Sequence, residues 1–339
     1  AAHILTLCSS NTGNIFDISV ADFLRERAKP PRGKLRPRFP VRDAKLIRTG
    51  VSFPSPKIPI TIPPYFVGLW IGDGNTANTG ITTGDIEIDS YIRSLASSLG
   101  LTVRTQKQKG NCWGVHLSRA RGCGAGSNRL WTFLKTFCGL QVEKQIPHHY
   151  LTASRQDRLE LLAGIVDTDG YLGTGYIEVI TKLNKLRDQY LFLARSLGFA
   201  AYAYPKYVKR FDRTYWRVII SGHIDQIPTK LKRKQAIMRH QIKDVLHTGF
   251  NLFPKGSGTY FGFTLASVDE SVCDGRFLLG DFTITHNTST VVETCRRIAP
   301  ARCIVVAFGS RNAEELKQKL PSNAEASTLH SLGNRAWTQ

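Results

Sequence analysis

Two almost wholly apolar runs end in Asp-Gly: "FVGLWIGDG" at 66–74 and "LAGIVDTDG" at 162–170. Their last Asp residues stand at 73 and 169, an offset of 96 residues. Around them the chain nearly says the same thing twice. "LASSLGL" (95–101) is answered by "LARSLGF" (193–199), a helix closing at a glycine C-cap. "CWGVHLS" (112–118) is answered by "YWRVIIS" (215–221), which alternates like a half-buried strand. Three matched segments in one order predict a helix, strands, helix, strand unit in two copies, hence an α+β fold.

Taken as helices, the runs carry small residues on one side: Gly68 and Gly72 in the first, Ala163, Gly164 and Thr168 in the second. A helix-interior glycine costs about 1 kcal/mol relative to Ala, so its repetition predicts two backbones in close approach. Each run ends with an Asp at the negative pole of the helix dipole, an unfavourable place. A positive group is therefore expected beside both. Packing the helices together would juxtapose Asp73 and Asp169, and paired carboxylates suit a divalent cation. The same residues also fit two buried helices that stop at ordinary Asp-Gly turns.

Charge narrows the partner. Lys and Arg number 46 against 26 Asp and Glu, a formal net charge of +20. Such an excess points to a polyanion, most simply nucleic acid. The seven cysteines are scattered without a C-x-x-C pair, which argues against a zinc site or disulfide framework and for a reducing interior; a cytoplasmic or nucleoid place in a prokaryote or phage setting is an expectation that rests on the resemblance given below. No stretch approaches the roughly 18–20 apolar residues of a membrane span, and no leader is visible. The 339 residues allow two or three domains. A strand-like "HILTL" (3–7) passes into a basic, proline-rich stretch, and "FPSPKIPITIPP" (53–64) predicts an extended linker.

"LLAGIVDTDG" resembles the LAGLIDADG motif of dodecapeptide-type homing endonucleases, departing at three of nine positions, and "FVGLWIGDG" resembles the divergent first copy of intein-borne members. The resemblance implies a monomeric nuclease over 61–228, with two pseudo-symmetric αββαββα-type repeats at 65–140 and 158–228. Strands of both repeats would form a saddle gripping a long, weakly symmetric double-stranded DNA site. Asp73 and Asp169 would hold two or more Mg²⁺ ions, with Gly72 and Thr168 offering carbonyls, and hydrolysis would cut both strands. In "EKQIP" (143–147), Lys144 would be the accessory catalytic lysine. "YPKYVKRFDRTYWRV" (204–218) interleaves aromatics with Lys206, Lys209, Arg210 and Arg213, as a DNA-facing hairpin would.

An intein carries its nuclease inside a splicing domain, so 1–60 and 229–287 are expected to form one all-β Hint unit. "YFGFTLASVDESVCDGRFLLGDFTITHN" (260–287) resembles the C-terminal splicing blocks, ending at His286-Asn287 before Thr288. Alone, that tripeptide reads as a cap or turn. Within the resemblance, Asn287 cyclises, His286 assists proton transfer, and Thr288 is the nucleophile. "AAHILTL" places His3 at the N-terminal scissile bond, with the first splicing block expected to precede Ala1. Residues 288–339 resemble the start of a superfamily-one DNA helicase, an α/β segment. The insertion would then interrupt the phosphate loop, with ATP a ligand only of the spliced helicase. Two alternatives stand beside this reading: a DNA-binding intein remnant without catalysis, and a helicase bearing an accessory DNA-binding insertion.

Overall fold

The computed structural model describes residues 4–28, 40–108, 110–120, 128–254, 256, 276–286 and 302–307. Towards the C-terminus it adds 314, 317, 320, 322–328 and 331. His3, Asn287 and Thr288 lie outside the described residues, and of His286 only the backbone lies within them. The chain divides into two compact units, one of 1–48 with 247–339 and one of 49–246.

The first unit begins with β1 (Ile4–Ser9), β2 (Ile15–Ser19), α1 (Val20–Ala28) and β3 (Ala44–Ile47). Helix α1 departs from the all-β expectation for this unit. Its signal is "SVAD" at 19–22: the Ser19 hydroxyl accepts from Asp22 N–H at 3.0 Å and donates to the Asp22 carboxylate at 2.7 Å. That closes the first turn, and Phe23 buries its face against Phe250 with ring centroids 5.4 Å apart.

The chain then builds the second unit from α2 (Pro64–Asp73), β4 (Ile81–Thr83), α3 (Ile86–Ser98), β5 (Thr102–Lys107), β6 (Trp113–Ser118) and α4 (Arg129–Phe133). A second series follows: α5 (His148–Leu151), α6 (Arg155–Asp169), β7 (Gly170–Gly173), β8 (Tyr176–Thr181), α7 (Asn184–Ser196), β9 (Ala200–Val208) and β10 (Arg213–Ser221). The sheets run β4-β6-β5 and β7-β8-β10-β9, antiparallel throughout. The matched segments occupy matched elements, α3 with α7 and β6 with β10. Gly100 and Gly198 close the two helices at positive φ, +64° and +89°.

One strand pairing of the expected repeat is much reduced in the first copy. Where β7 pairs with β8 over four residues, the first repeat has an isolated bridge between Gly74 and Ile81. Side-chain turns replace the ladder there, since Asn75 Oδ1 accepts from Ala77 N–H and Asn78 Oδ1 from Gly80 N–H, each at 2.8 Å.

The two motif helices are the centre of this unit. Helix α2 starts at Pro64, whose fixed φ suits a first helical position. Helix α6 starts at Ser154, whose hydroxyl accepts from Asp157 N–H at 3.1 Å. Phe66, Leu69 and Trp70 of one helix and Leu161, Leu162 and Ile165 of the other are fully buried, each contributing about 1.5–3 kcal/mol by leaving water. The glycines permit the crossing. A Cβ on Gly68 would lie 2.2 Å from Leu161 O, and one on Gly164 2.2 Å from Tyr65 O.

The unit extends beyond the expected 61–228. Fully buried Arg158 donates to Val51 O at 2.6 Å, to Ser196 Oγ at 2.6 Å and to Ala153 O at 3.0 Å, and so fastens the N-terminal linker. Residues 229–235 fold back onto the end of α6 through the contacts described below.

Leaving the second unit, the chain returns to the first sheet with β11 (His247–Thr248), β12 (Arg276–Leu278) and β13 (Ile284–His286). The order is β11-β3-β1-β13-β12, with β2 also on β1. Strands from both flanks of the second unit thus share one sheet, and Ile4 pairs with His286. Beyond it, β14 (Cys303–Ala307) and β15 (Ala324–Thr328) pair in parallel.

Candidate active site

The motif helices run side by side to their C-termini and leave Asp73 and Asp169 next to one another. Thr168 fills the space that a side chain on Gly72 would need: a Cβ there would be 2.0 Å from Thr168 Oγ1 and 3.4 Å from Asp169 Oδ2. The Asp-Gly junctions are not left-handed turns. Gly74 and Gly170 are extended, with φ of −69° and −80°, and carry the chain straight out of the helices. A Cβ on Gly74 would strike its own helix, 2.2 Å from Trp70 O.

The positive group expected at each helix end is present. Lys144 Nζ donates to Gly72 O at 2.6 Å and Ile71 O at 3.0 Å, at the end of α2. Lys234 Nζ donates to Val166 O and Asp167 O at 2.8 Å and to Thr168 O at 3.0 Å, at the end of α6. The motif resemblance does not single out Lys234. Its signal is a second Lys-Gln pair, 234–235 repeating 144–145.

Both Asp residues are exposed, and the protein packed behind their carboxyls displaces part of the surrounding water. Burial raises the Asp169 carboxyl to about 6, the Asp73 charge adds to the rise, and Lys144 and Lys234 oppose it. Asp73 is raised by burial too, against the same two lysines. Burial lowers Lys144 to about 8 although Asp169 and Asp73 hold its charge. Lys234 is lowered by burial and by Arg233. Two neighbouring carboxyls whose negative charges oppose one another, with cations behind them, make a place that a hard divalent cation suits.

The donor set fits Mg²⁺. The carboxylates are oxygen ligands, and the Gly72 and Thr168 carbonyls, each already accepting from a lysine, retain a second lone pair. Among the described residues no three His, Cys, Asp or Glu side chains cluster, so water and phosphate would complete the shell, as Mg²⁺ prefers. A cavity of about 660 Å³ opens beside Asp169 and Lys144, lined also by Asn75, Thr76, Lys182 and buried Tyr190.

The basic segment expected at 204–218 is the β9–β10 hairpin. Lys209 and Arg210 sit at its tip, while Lys206 and Arg213 stand on one sheet face. The register puts Lys206 opposite Tyr215, Arg213 opposite Val208 and Arg217 opposite Tyr204. Arg217 pairs with Glu178 at 2.7 Å, and Lys206 lies 3.9 Å from the same carboxylate. Arg217, Glu178 and the exposed Tyr204 and Tyr171 join this face through register, which the basic residues alone did not reveal. The first-repeat sheet presents Arg104 opposite His116.

A profile of the LAGLIDADG-like domain matches residues 156–227. The replicative DNA helicase DnaB of Mycobacterium intracellulare is 33% identical over 141 residues, covering 41% of this chain and 20% of the helicase. The homothallic switching endonuclease of Saccharomyces cerevisiae is 29% identical over 171 residues, covering 40% of this chain and 27% of the endonuclease. The catalytic V-type proton ATPase subunit of Candida tropicalis is 24% identical over 276 residues, 66% of this chain and 25% of that protein. The chain therefore spans between a fifth and about a quarter of the length of these relatives. A structure of I-DmoI in complex with DNA and Ca is 14% identical with a TM-score of 0.36, covering 47% of this chain and 82% of I-DmoI.

Proposed function

We propose that residues 49–246 form a Mg²⁺-dependent DNA endonuclease of the two-repeat LAGLIDADG type, acting as a monomer on a long double-stranded site. The observation that carries this reading is the convergence of Asp73 and Asp169 at the ends of two crossing helices, each end capped by a half-buried lysine. Asp73 and Asp169 would be the residues that hold Mg²⁺, which when bound would supply charge to the phosphate under attack and lower the pKa of water. Lys144 and Lys234 keep both helix ends neutralised and face the phosphodiester with positive charge. Lys206, Lys209, Arg210 and Arg213 meet the backbone and fix register, and the β9–β10 face reads the groove. A DNA-binding remnant without catalysis would have no use for two acids placed together at the ends of the crossing helices.

The test uses a library of supercoiled plasmids with a randomised insert, incubated with the protein and Mg²⁺. Linear products are captured by adaptor ligation and sequenced. The unmodified protein is expected to enrich one site, and Asp73→Asn and Asp169→Asn to leave it closed. A library left uncut by the unmodified protein refutes the nuclease.

We infer further that this nuclease lies within a protein-splicing element. Supporting this, strands from 4–47 and 247–286, which flank the second unit in sequence, share one sheet. Relatives with unrelated names match over a quarter of their length or less, apart from the endonuclease at 27%, the pattern an inserted element leaves. In this reading His3 and His286 serve the two scissile bonds, the Thr288 hydroxyl takes the upstream chain as an ester in exchange for that chain's bond to the start of the element, and the Asn287 side-chain nitrogen then attacks its own carbonyl carbon, breaking the Asn287–Thr288 peptide bond and releasing the Thr288 amine. The segment 288–339 would belong to a helicase, a reading to which the name of one relative adds support. Mass spectrometry of the purified chain tests the C-terminal step: a released piece beginning at Thr288 is expected, and its persistence in Asn287→Ala would refute cyclisation.

A further inference from the structure

The two lysines stand at equivalent helix ends, but they are held there by different means. Lys144 belongs to the segment leading into α5. Two residues on, the Ile146 backbone is clasped by the Gln189 carboxamide of α7: Ile146 N–H donates to Gln189 Oε1 at 2.9 Å, and Gln189 Nε2 donates to Ile146 O at 2.8 Å. Ile146 is itself buried, so this clasp serves backbone groups that water does not reach freely. Lys234 belongs to the strap after β10. Its anchor is Asp167, 1% exposed, whose Oδ2 accepts from Lys230 N–H at 2.6 Å and from the Tyr65 hydroxyl at 2.6 Å, while Oδ1 lies 3.4 Å from Leu231 N. Lys230 Nζ then lies over the Tyr65 and Tyr91 rings at 4.8 and 5.1 Å. The repeat does not preserve this chemistry. The residue matching Asp167 in the first motif is Ile71, and the residue matching Gln189 on α3 is Tyr91.

We propose that Gln189 and Asp167 are positioning residues that align Lys144 and Lys234 independently, so that cutting of the two DNA strands depends on two different anchors. The inference rests on the nuclease reading of the Asp73–Asp169 site. Lys144 caps the helix that ends in Asp73 and Lys234 the helix that ends in Asp169, one lysine to each acid-bearing helix end. A nuclease that opens both strands needs one such half for each scissile phosphate. The hydrogen bonds of both anchors go to Ile146, Tyr65, Lys230 and Leu231 rather than to Asp73 or Asp169, and each anchor reaches its lysine through a few residues of backbone. Loosening one anchor therefore displaces one lysine and leaves the opposite half in place. Displacement of a catalytic group by about 1 Å costs on the order of a hundredfold in rate.

The experiment measures the nicking rate of each strand separately, on supercoiled plasmid carrying the site captured from the library. Strand-specific primers map the breaks, and Lys144→Met and Lys234→Met set the reference bias for each half. Gln189→Ala is expected to slow the strand that Lys144→Met slows by about tenfold or more relative to the other, so that nicked circles accumulate. Gln189→Glu keeps the acceptor for Ile146 N–H and should slow the same strand less. Asp167→Asn should slow the opposite strand, the one Lys234→Met slows. If its buried position prevents folding, Tyr65→Phe removes one bond to the same carboxylate and should bias in the same direction. Equal slowing of both strands, or no change in strand ratio, overturns the separate anchors and leaves them as fold-stabilising contacts. An unmodified protein that opens no plasmid removes the nuclease reading and the anchors' role together.

Discussion

Lys144 and Lys234 show how much a single side chain can do at a helix end. Each places a charged donor on the carbonyls of a helix's last turn, most of which have no partner inside the helix. Lys234→Met is expected to destabilise the fold by about 1–2 kcal/mol, measured by urea unfolding, because three carbonyls lose one charged donor. Asp169 gives a prediction in pH. Its carboxyl is raised from 3.8 to about 6, so the folded state binds the proton more tightly than the unfolded chain. Without metal, stability should fall as pH rises through that window. Mg²⁺ competes with the proton, so its affinity in calorimetric titration should weaken as pH drops below about 6 and vanish in Asp169→Asn. An affinity unchanged between about pH 5 and pH 7 would contradict this assignment. Lys144 was legible in the sequence because Ile-Pro follows its Lys-Gln. Lys234 was not, because Ala236 and Ile237 follow instead and only the folded strap brings it to α6.

At the scale of elements, the crossing of α2 and α6 sets the geometry of the site. Gly68→Ala and Gly164→Ala would each raise intrinsic helix propensity by about 1 kcal/mol. Both should nevertheless destabilise, by about 1–3 kcal/mol or more, because the new methyl meets backbone oxygen at 2.2 Å. Thermal unfolding decides the sign. A rise in melting temperature would mean that the helices do not approach so closely. The two helices, α3 with α7 and β6 with β10 were readable because each repeats an apolar period and its terminating residue. Helix α1 is hidden in the sequence because Arg25 and Arg27 run on into the basic stretch that follows, although Ser19 and Asp22 mark its start. The shortened hairpin after α2 was hidden because Asn75 and Asn78 act through side-chain bonds that leave no apolar alternation.

Residues 49–246 carry two sheets with cationic residues on them, in a chain whose net charge is +20. DNA affinity should fall steeply with salt, roughly a hundredfold or more between about 50 and 200 mM if several phosphates are neutralised. Fluorescence anisotropy of a labelled duplex checks this, and a flat response would deny backbone contact. Residues 49–246 have their own core, closed by the Arg158 clasp on Val51 and by the strap on α6. Expressed alone, they should unfold in one cooperative transition. Starting the chain after Phe53 should lower the midpoint, because Arg158 then stays buried without the Val51 carbonyl or the ring that faces it at 4.8 Å.

The sequence by itself determined the doubling, the two motif helices, their glycine contact and the pair of acids. These depend on local periodicity and on residues whose steric or charge demands admit few settings. It also marked the basic hairpin, and the extent of cationic excess that favours a polyanion. The tertiary structure decided which cations stand behind the acids and how they are held. Asp167 reads as an ordinary motif residue until Lys230 and Leu231 fold onto it, and Gln189 reads as a surface residue of α7 until Ile146 meets it. Those contacts join residues 43 to 64 positions apart, and hydrogen bonds at that separation leave no period in the chain. They are fixed by the packing of the repeats, which the pattern of each repeat alone does not contain.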